Sequence, residues 1–105
     1  MLKELQQLVH AVNVRNGFWE EGTQRNKAEC IALMHSELSE ALEALRGGNP
    51  KSDKIEGYSQ VEEELADAVI RILDFCGGFN LDLQGAIIAK LAYNENRPFK
   101  HNKAF

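Results

Sequence analysis

The sequence predicts an all-α domain with a four-helix bundle-like architecture, and three observations carry that expectation. Apolar residues recur at helical spacing in four separate segments, no stretch shows the strict alternation of a strand, and the connections are rich in capping and breaking residues. At 105 residues the chain is long enough for one domain, taken as 1–105, with no internal repeat.

Leu2, Leu5, Leu8, Val9 and Val12 recur at helical spacing, so residues 2–15 read as an amphipathic first helix that Asn16-Gly17 ends. Phe18-Trp19 then open an irregular stretch. The second helix is expected from about Lys27 to Arg46. Its apolar stripe is Ile31, Met34, His35, Leu38, Ala41, Leu42 and Leu45, closed by Gly47-Gly48-Asn49-Pro50. A polar loop follows to residue 58. Ser59 with Glu62 three residues on is a capping box, which starts a third helix running to about Cys76. Its inward residues would be Val61, Leu65, Ala68, Val69, Ile72, Leu73 and Cys76, with Gly77-Gly78 as its stop. Asp82 caps a fourth helix with Leu83, Ala86, Ile87 and Leu91 on its apolar face, ending near Asn96-Arg97 because Pro98 cannot continue it.

A hydrophobic content of 44% suffices for one core, but so small a domain buries a limited share of its surface, and self-association is expected. The formal charge of −4 argues against binding to a nucleic acid polymer, which calls for a basic footprint. Cys30 and Cys76 fall among apolar helical residues without metal-ligand spacing, so they read as buried reduced thiols. No apolar run approaches a membrane span and no signal-peptide pattern opens the chain, so no membrane is expected and the chain reads as cytoplasmic.

The charge is unevenly placed. From Glu37 to Asp67 there are nine acids against three bases, whereas Lys90 to Phe105 holds four bases against Glu95 alone. An acidic centre with a basic tail suits a metal bound to a polyphosphate better than a bare anion.

Two carboxylate pairs, Glu37/Glu40 and Glu64/Asp67, stand at i,i+3 spacing within helical segments beside apolar stripes. Each pair presents two acids from one helix face, and like charge there costs an isolated helix about 0.2–0.5 kcal/mol. Roughly two such pairs arise by chance at this acid content, and Glu40/Glu43 and Asp53/Glu56 bring the total to four, so spacing alone decides little. Placement at the edge of a core decides more, because a carboxylate there needs a counter-charge. Carboxylates without a Cys or His cluster suit a hard cation, Mg²⁺ or Mn²⁺. A di-iron site is disfavoured, since no Glu stands three residues before His10, His35 or His101. Lys90, Asn94 and Arg97, at i, i+4 and i+7, form a second constellation able to grip phosphate oxygens and a sugar hydroxyl; the plain alternative is a solvated basic face.

Over about residues 15–105 the chain resembles the all-α nucleoside triphosphate pyrophosphohydrolases of the MazG-like type. The resemblance rests on Glu37-x-x-Glu40, on Glu64-x-x-Asp67 after 23 intervening residues, and on Lys90-x-x-x-Asn94-x-x-Arg97-Pro98 followed by Lys100-His101-x-Lys103. The tail departs from the pattern at Asn102, where many relatives carry glycine. The resemblance implies that Glu37, Glu40, Glu64 and Asp67 are Mg²⁺ ligands; on chemical grounds Glu40 or Glu64 could instead take a water's proton. It implies that Lys90, Asn94, Arg97 and Lys103 contact the triphosphate and sugar, and that Trp19 either contacts the base or fills the core. The implied activity is hydrolysis of a (deoxy)nucleoside triphosphate to the monophosphate and pyrophosphate, in nucleotide-pool house-cleaning; the short chain and its apolar-rich helices separately suggest a homodimer or homotetramer. Phosphoribosyl-ATP pyrophosphohydrolase, of the same superfamily, and a non-catalytic helical interaction module are the alternatives.

Overall fold

The computed structural model describes residues 1–20 and 24–96. It contains four α-helices: α1 (Leu2–Arg15), α2 (Lys27–Arg46), α3 (Gln60–Gly78) and α4 (Leu83–Glu95). Among the described residues there is no strand, only one isolated antiparallel bridge between Lys51 and Ser59. No helix is long and apolar enough to cross a membrane among those residues.

The helix starts follow local capping chemistry. The Asn26 side chain accepts the backbone N–H of Glu29 at 3.0 Å. Ser59 Oγ accepts from Glu62 N while Glu62 Oε1 accepts from Ser59 N, the reciprocal pair the sequence predicts. Asp82 accepts from Gly85 N at 2.9 Å. Each cap satisfies donors that the first turn leaves without an intrahelical acceptor.

α3 ends at Gly78, at the stop the sequence predicts, and the chain reverses through Asn80, whose φ of 56° is left-handed. The two glycines also serve close packing. A Cβ on Gly77 would stand 2.7 Å from the Cβ of His10, and one on Gly78 would overlap the benzo edge of Trp19. Small surface at this point of α3 lets α1 and the segment after it lie against the helix.

α2 and α3 form an antiparallel hairpin, and α1 packs across α3. The seam of the hairpin is made by Cys30, Ala41 and Ala44 on α2 and by Ala68, Leu73 and Cys76 on α3. These are mostly small side chains, and among the described residues Leu73 is the one large side chain buried to 1% exposure. Cys30 and Cys76 are buried free thiols, as expected.

The apolar stripe assigned to α2 is not in that seam. Ile31, Leu38, Leu42 and Leu45 are exposed, Leu45 to 58%, and Leu65 and Val69 of α3 are exposed beside them. Of the predicted α2 stripe only Ala41 is buried. The inward ridge runs through Cys30, Leu33, Glu37, Ala41 and Ala44 at i,i+3 and i+4 steps, so it carries a carboxylate where an apolar residue was expected.

α4 does not close a bundle over the hairpin. Its packing is on α1, where Gln84 Oε1 accepts from Lys3 N at 2.9 Å and Gln6 Nε2 donates to the Leu81 carbonyl at 3.1 Å. Ile87, Ile88 and Leu91 therefore remain exposed.

Replacing Gly78 with alanine forces a methyl into the Trp19 ring, which has no room to retreat because it is held on both edges. Overpacking of this kind costs about 1–3 kcal/mol. Chemical denaturation of Gly78→Ala, followed by tryptophan fluorescence, is expected to show a lowered midpoint and a shifted native emission.

Candidate metal centre

The close approach of α2 and α3 places Glu37, Glu64 and Asp67 together, with one oxygen from each lying within 4.8 Å of the others. Ala41 and Ala68 explain the approach: each follows an acid of the cluster by one position or one turn and leaves no bulk between the helices. Glu64 is 7% exposed and Glu37 and Asp67 are half-buried. Glu40 lies one turn further along α2 and is exposed, outside the three-acid cluster, although its charge still acts on Glu64.

Two of the three carboxylates, Glu64 and Asp67, hold their protons more tightly than usual. Burial pushes the Glu64 carboxyl above its ordinary value, and Glu40, Glu63, Asp67 and Glu37 add to it. Burial and the charges of Glu37 and Glu63 likewise raise Asp67, while Lys54 and Arg71 pull it down. Arg71 supplies part of the missing counter-charge, donating from Nε to Glu37 Oε1 at 2.8 Å. It does not neutralise three acids.

A magnesium ion fits this donor set. All three side chains offer the hard oxygen that Mg²⁺ takes, and their oxygens already lie within 4.8 Å of one another. Glu37 and Asp67 also face a cavity of about 260 Å³, so a cation held there would meet a ligand entering from it. The cavity continues away from the acids to Asn13, Phe18, Arg25, Ile70 and Phe75.

Asp74 closes the far end. It is 4% exposed and accepts from Trp19 Nε1 at 2.9 and 3.0 Å. His10 Nδ1 lies 2.9 Å from it and the Arg25 guanidinium 3.5 Å. Arg25 also stacks over Trp19, 4.9 Å from the ring centroid, and Trp19 meets His10 and Phe79 edge-on. Trp19 is thus built into the wall behind the cavity, with its indole N–H engaged, and does not line the cavity itself.

Asp74, Arg71 and Arg25 were not among the predicted site residues. A signal for the first two does exist in the sequence: Glu64, Asp67, Arg71 and Asp74 stand at i, i+3, i+7 and i+10, one charged stripe along α3. Arg25 has no such signal, because it reaches the site from the irregular segment.

Lys90 and Asn94 are not brought to the acids within one chain. They are exposed on α4, do not line that cavity, and Lys90 Nζ sits over its own neighbour Tyr93 at 4.5 Å. Arg97 and Lys103 lie outside the described residues. No protein-family model, curated protein or solved structure matches the chain.

The raised values at Glu64 and Asp67 set a pH dependence. The folded chain holds protons that the unfolded chain has already released, so the contribution of these groups is full below their ordinary values of 4.5 and 3.8. It is lost as pH rises through the raised folded values. Glu64→Gln removes that loss. Without divalent cations the variant is expected to be more stable than the parent at neutral pH, by a few tenths to about 1 kcal/mol, and the difference should shrink on acidification. Urea titrations across the acid-to-neutral range check both the sign and the convergence.

Proposed function

We propose that the chain is a Mg²⁺-dependent nucleoside triphosphate pyrophosphohydrolase of the all-α, MazG-like type. The observation that carries this reading is the three-carboxylate cluster of Glu37, Glu64 and Asp67 at one end of a cavity with polar and aromatic walls. An acid cluster by itself fits many roles. Joined to a cavity it defines a ligand with an anionic end, bridged to the acids by a cation, and a flatter end lying between Phe18, Ile70 and Phe75 with Asn13 and Arg25 in hydrogen-bond reach of the cavity. A nucleotide has that shape and charge distribution.

The metal would neutralise phosphate charge and acidify a bound water. The chain's own groups then have distinct tasks. Glu37, fixed by Arg71, and Asp67 orient the anionic end. Glu64, buried beside them, either joins Glu37 and Asp67 in holding the metal or takes the proton from the attacking water. Glu40, exposed and adjacent in charge to Glu64, is the outer acid of the site.

The positive contacts to the triphosphate come, on this reading, from a second copy. The exposed Ile31, Leu38, Leu42 and Leu45 of α2 and the exposed face of α4 are what a single chain leaves uncovered. A homodimer or homotetramer covers them and carries Lys90 and Asn94 of one copy toward the acids of another. Light scattering is expected to give a dimer or tetramer, and Leu38→Asp with Leu42→Asp to give a monomer without turnover. A monomeric parent protein with full activity would contradict the shared site.

Pyrophosphate release across canonical and modified (d)NTPs, with and without Mg²⁺, tests the activity itself. Turnover is expected only with the metal, with a nucleoside monophosphate as co-product. Glu37→Gln and Asp67→Asn should each lower kcat/KM by about 10²-fold or more, the scale of losing charge stabilisation of a developing anion, while circular dichroism stays unchanged. Retained activity in both variants would defeat the site.

A further inference from the structure

The α2–α3 connection is a polar loop, yet hydrogen bonds tie it down at several points. Ser52 N donates to the Tyr58 carbonyl and Gln60 N to the Pro50 carbonyl, each at 2.8 Å. Val61 N donates to Asn49 Oδ1 at 3.0 Å. Ser52 Oγ accepts from the backbone N–H of Lys54 at 3.1 Å and of Ile55 at 3.0 Å, forming a tight turn. The same hydroxyl donates to Glu63 Oε1 at 2.6 Å.

Glu63 is a buried carboxylate, 7% exposed, that stands outside the three-acid cluster. Its two oxygens hold two points of the loop: Oε1 takes Ser52, and Oε2 lies 3.6 Å from Lys54 Nζ. Glu63 precedes Glu64 and is one helical turn from Asp67, so the ammonium it holds is brought to the edge of the acid cluster. Charge coupling reflects that position: Glu63, then Asp53 and Glu64, favour the charged form of Lys54, and Lys54 in turn acts on Asp67.

As a stabilising ion pair this arrangement achieves little, because the Lys54 side chain is 75% exposed and such pairs contribute about 0–1 kcal/mol. As an anion contact it is well placed. The ammonium keeps unused donors on the solvent side, and the turn that carries it is fixed before any ligand arrives. We infer that Lys54, held by Glu63 and the Ser52 turn, is a phosphate-contacting residue that grips the metal-bound polyphosphate from within the same chain. The inference rests on the pyrophosphohydrolase reading and adds to it a cation that needs no second copy. Lys54 serves the metal–anion complex and works against the bare metal, since it repels a cation and attracts the anion that cation carries.

That opposition of sign supplies the test. Calorimetric titration of the full chain with Mn²⁺ alone, and with Mg²⁺ and inorganic pyrophosphate together, compares the parent with Lys54→Met and Lys54→Arg. Lys54→Met is expected to bind Mn²⁺ equally or somewhat more tightly, and to bind magnesium pyrophosphate about tenfold more weakly, as for one lost charge-assisted contact. Lys54→Arg should retain most of the pyrophosphate affinity. Unchanged pyrophosphate affinity in Lys54→Met overturns the inference while the parent's own binding leaves the metal site standing. Equal weakening of Mn²⁺ and magnesium pyrophosphate also overturns it, since that marks a structural effect. A parent chain that binds neither probe defeats the metal-site reading and Lys54's role with it.

Discussion

The seam between α2 and α3 is the constraint on which the rest of the molecule depends. Two helices approach closely there because Ala41, Ala44 and Ala68 are small, and the same approach forces Glu37, Glu64 and Asp67 into one another's field. Desolvated like charges oppose the packing that creates them. The fold answers with Arg71 on Glu37 and with Lys54 and Ser52 on Glu63, and these answers are partial. An incompletely compensated acid cluster carries an electrostatic cost, and a bound divalent cation, as proposed for this seam, would offset it.

The α1 side of α3 has the opposite character. Asp74 is as deeply buried as any acid in the seam, but Trp19, His10 and Arg25 all turn toward it. Gly77 and Gly78 give up side chains so that His10 and Trp19 can lie close enough to do so. One acid has three partners, whereas three acids share one arginine. The contrast along a single helix separates a structural carboxylate from candidate ligands better than spacing does.

Much of this was legible in the sequence. The caps at Ser59 and Asp82 are local chemistry, and they fix where α3 and α4 begin. Glu37, Glu64 and Asp67 were marked by standing beside apolar residues of helical period. The remainder depends on which face of a helix turns inward, which periodicity does not settle when a helix has two usable faces. For α2 the wider apolar stripe through Leu38, Leu42 and Leu45 was assigned to the core, whereas the ridge carrying Glu37 occupies it. Gly77-Gly78 do end α3, but their second role as a packing notch was not legible, because their neighbours Trp19 and His10 are far away in sequence. Lys54 and Arg25 sit in loops, where no spacing rule places a side chain in space.

The central claim is that the carboxylates of the α2–α3 seam hold a divalent cation, and the most direct measurement is anomalous diffraction from crystals grown with Mn²⁺. The account predicts a manganese peak bonded to oxygens of Glu37, Glu64 and Asp67 at the mouth of the cavity. A peak on exposed acids such as Glu43 or Glu56 alone, or a seam in which Glu37 stays paired with Arg71 and no metal is bound, would contradict it.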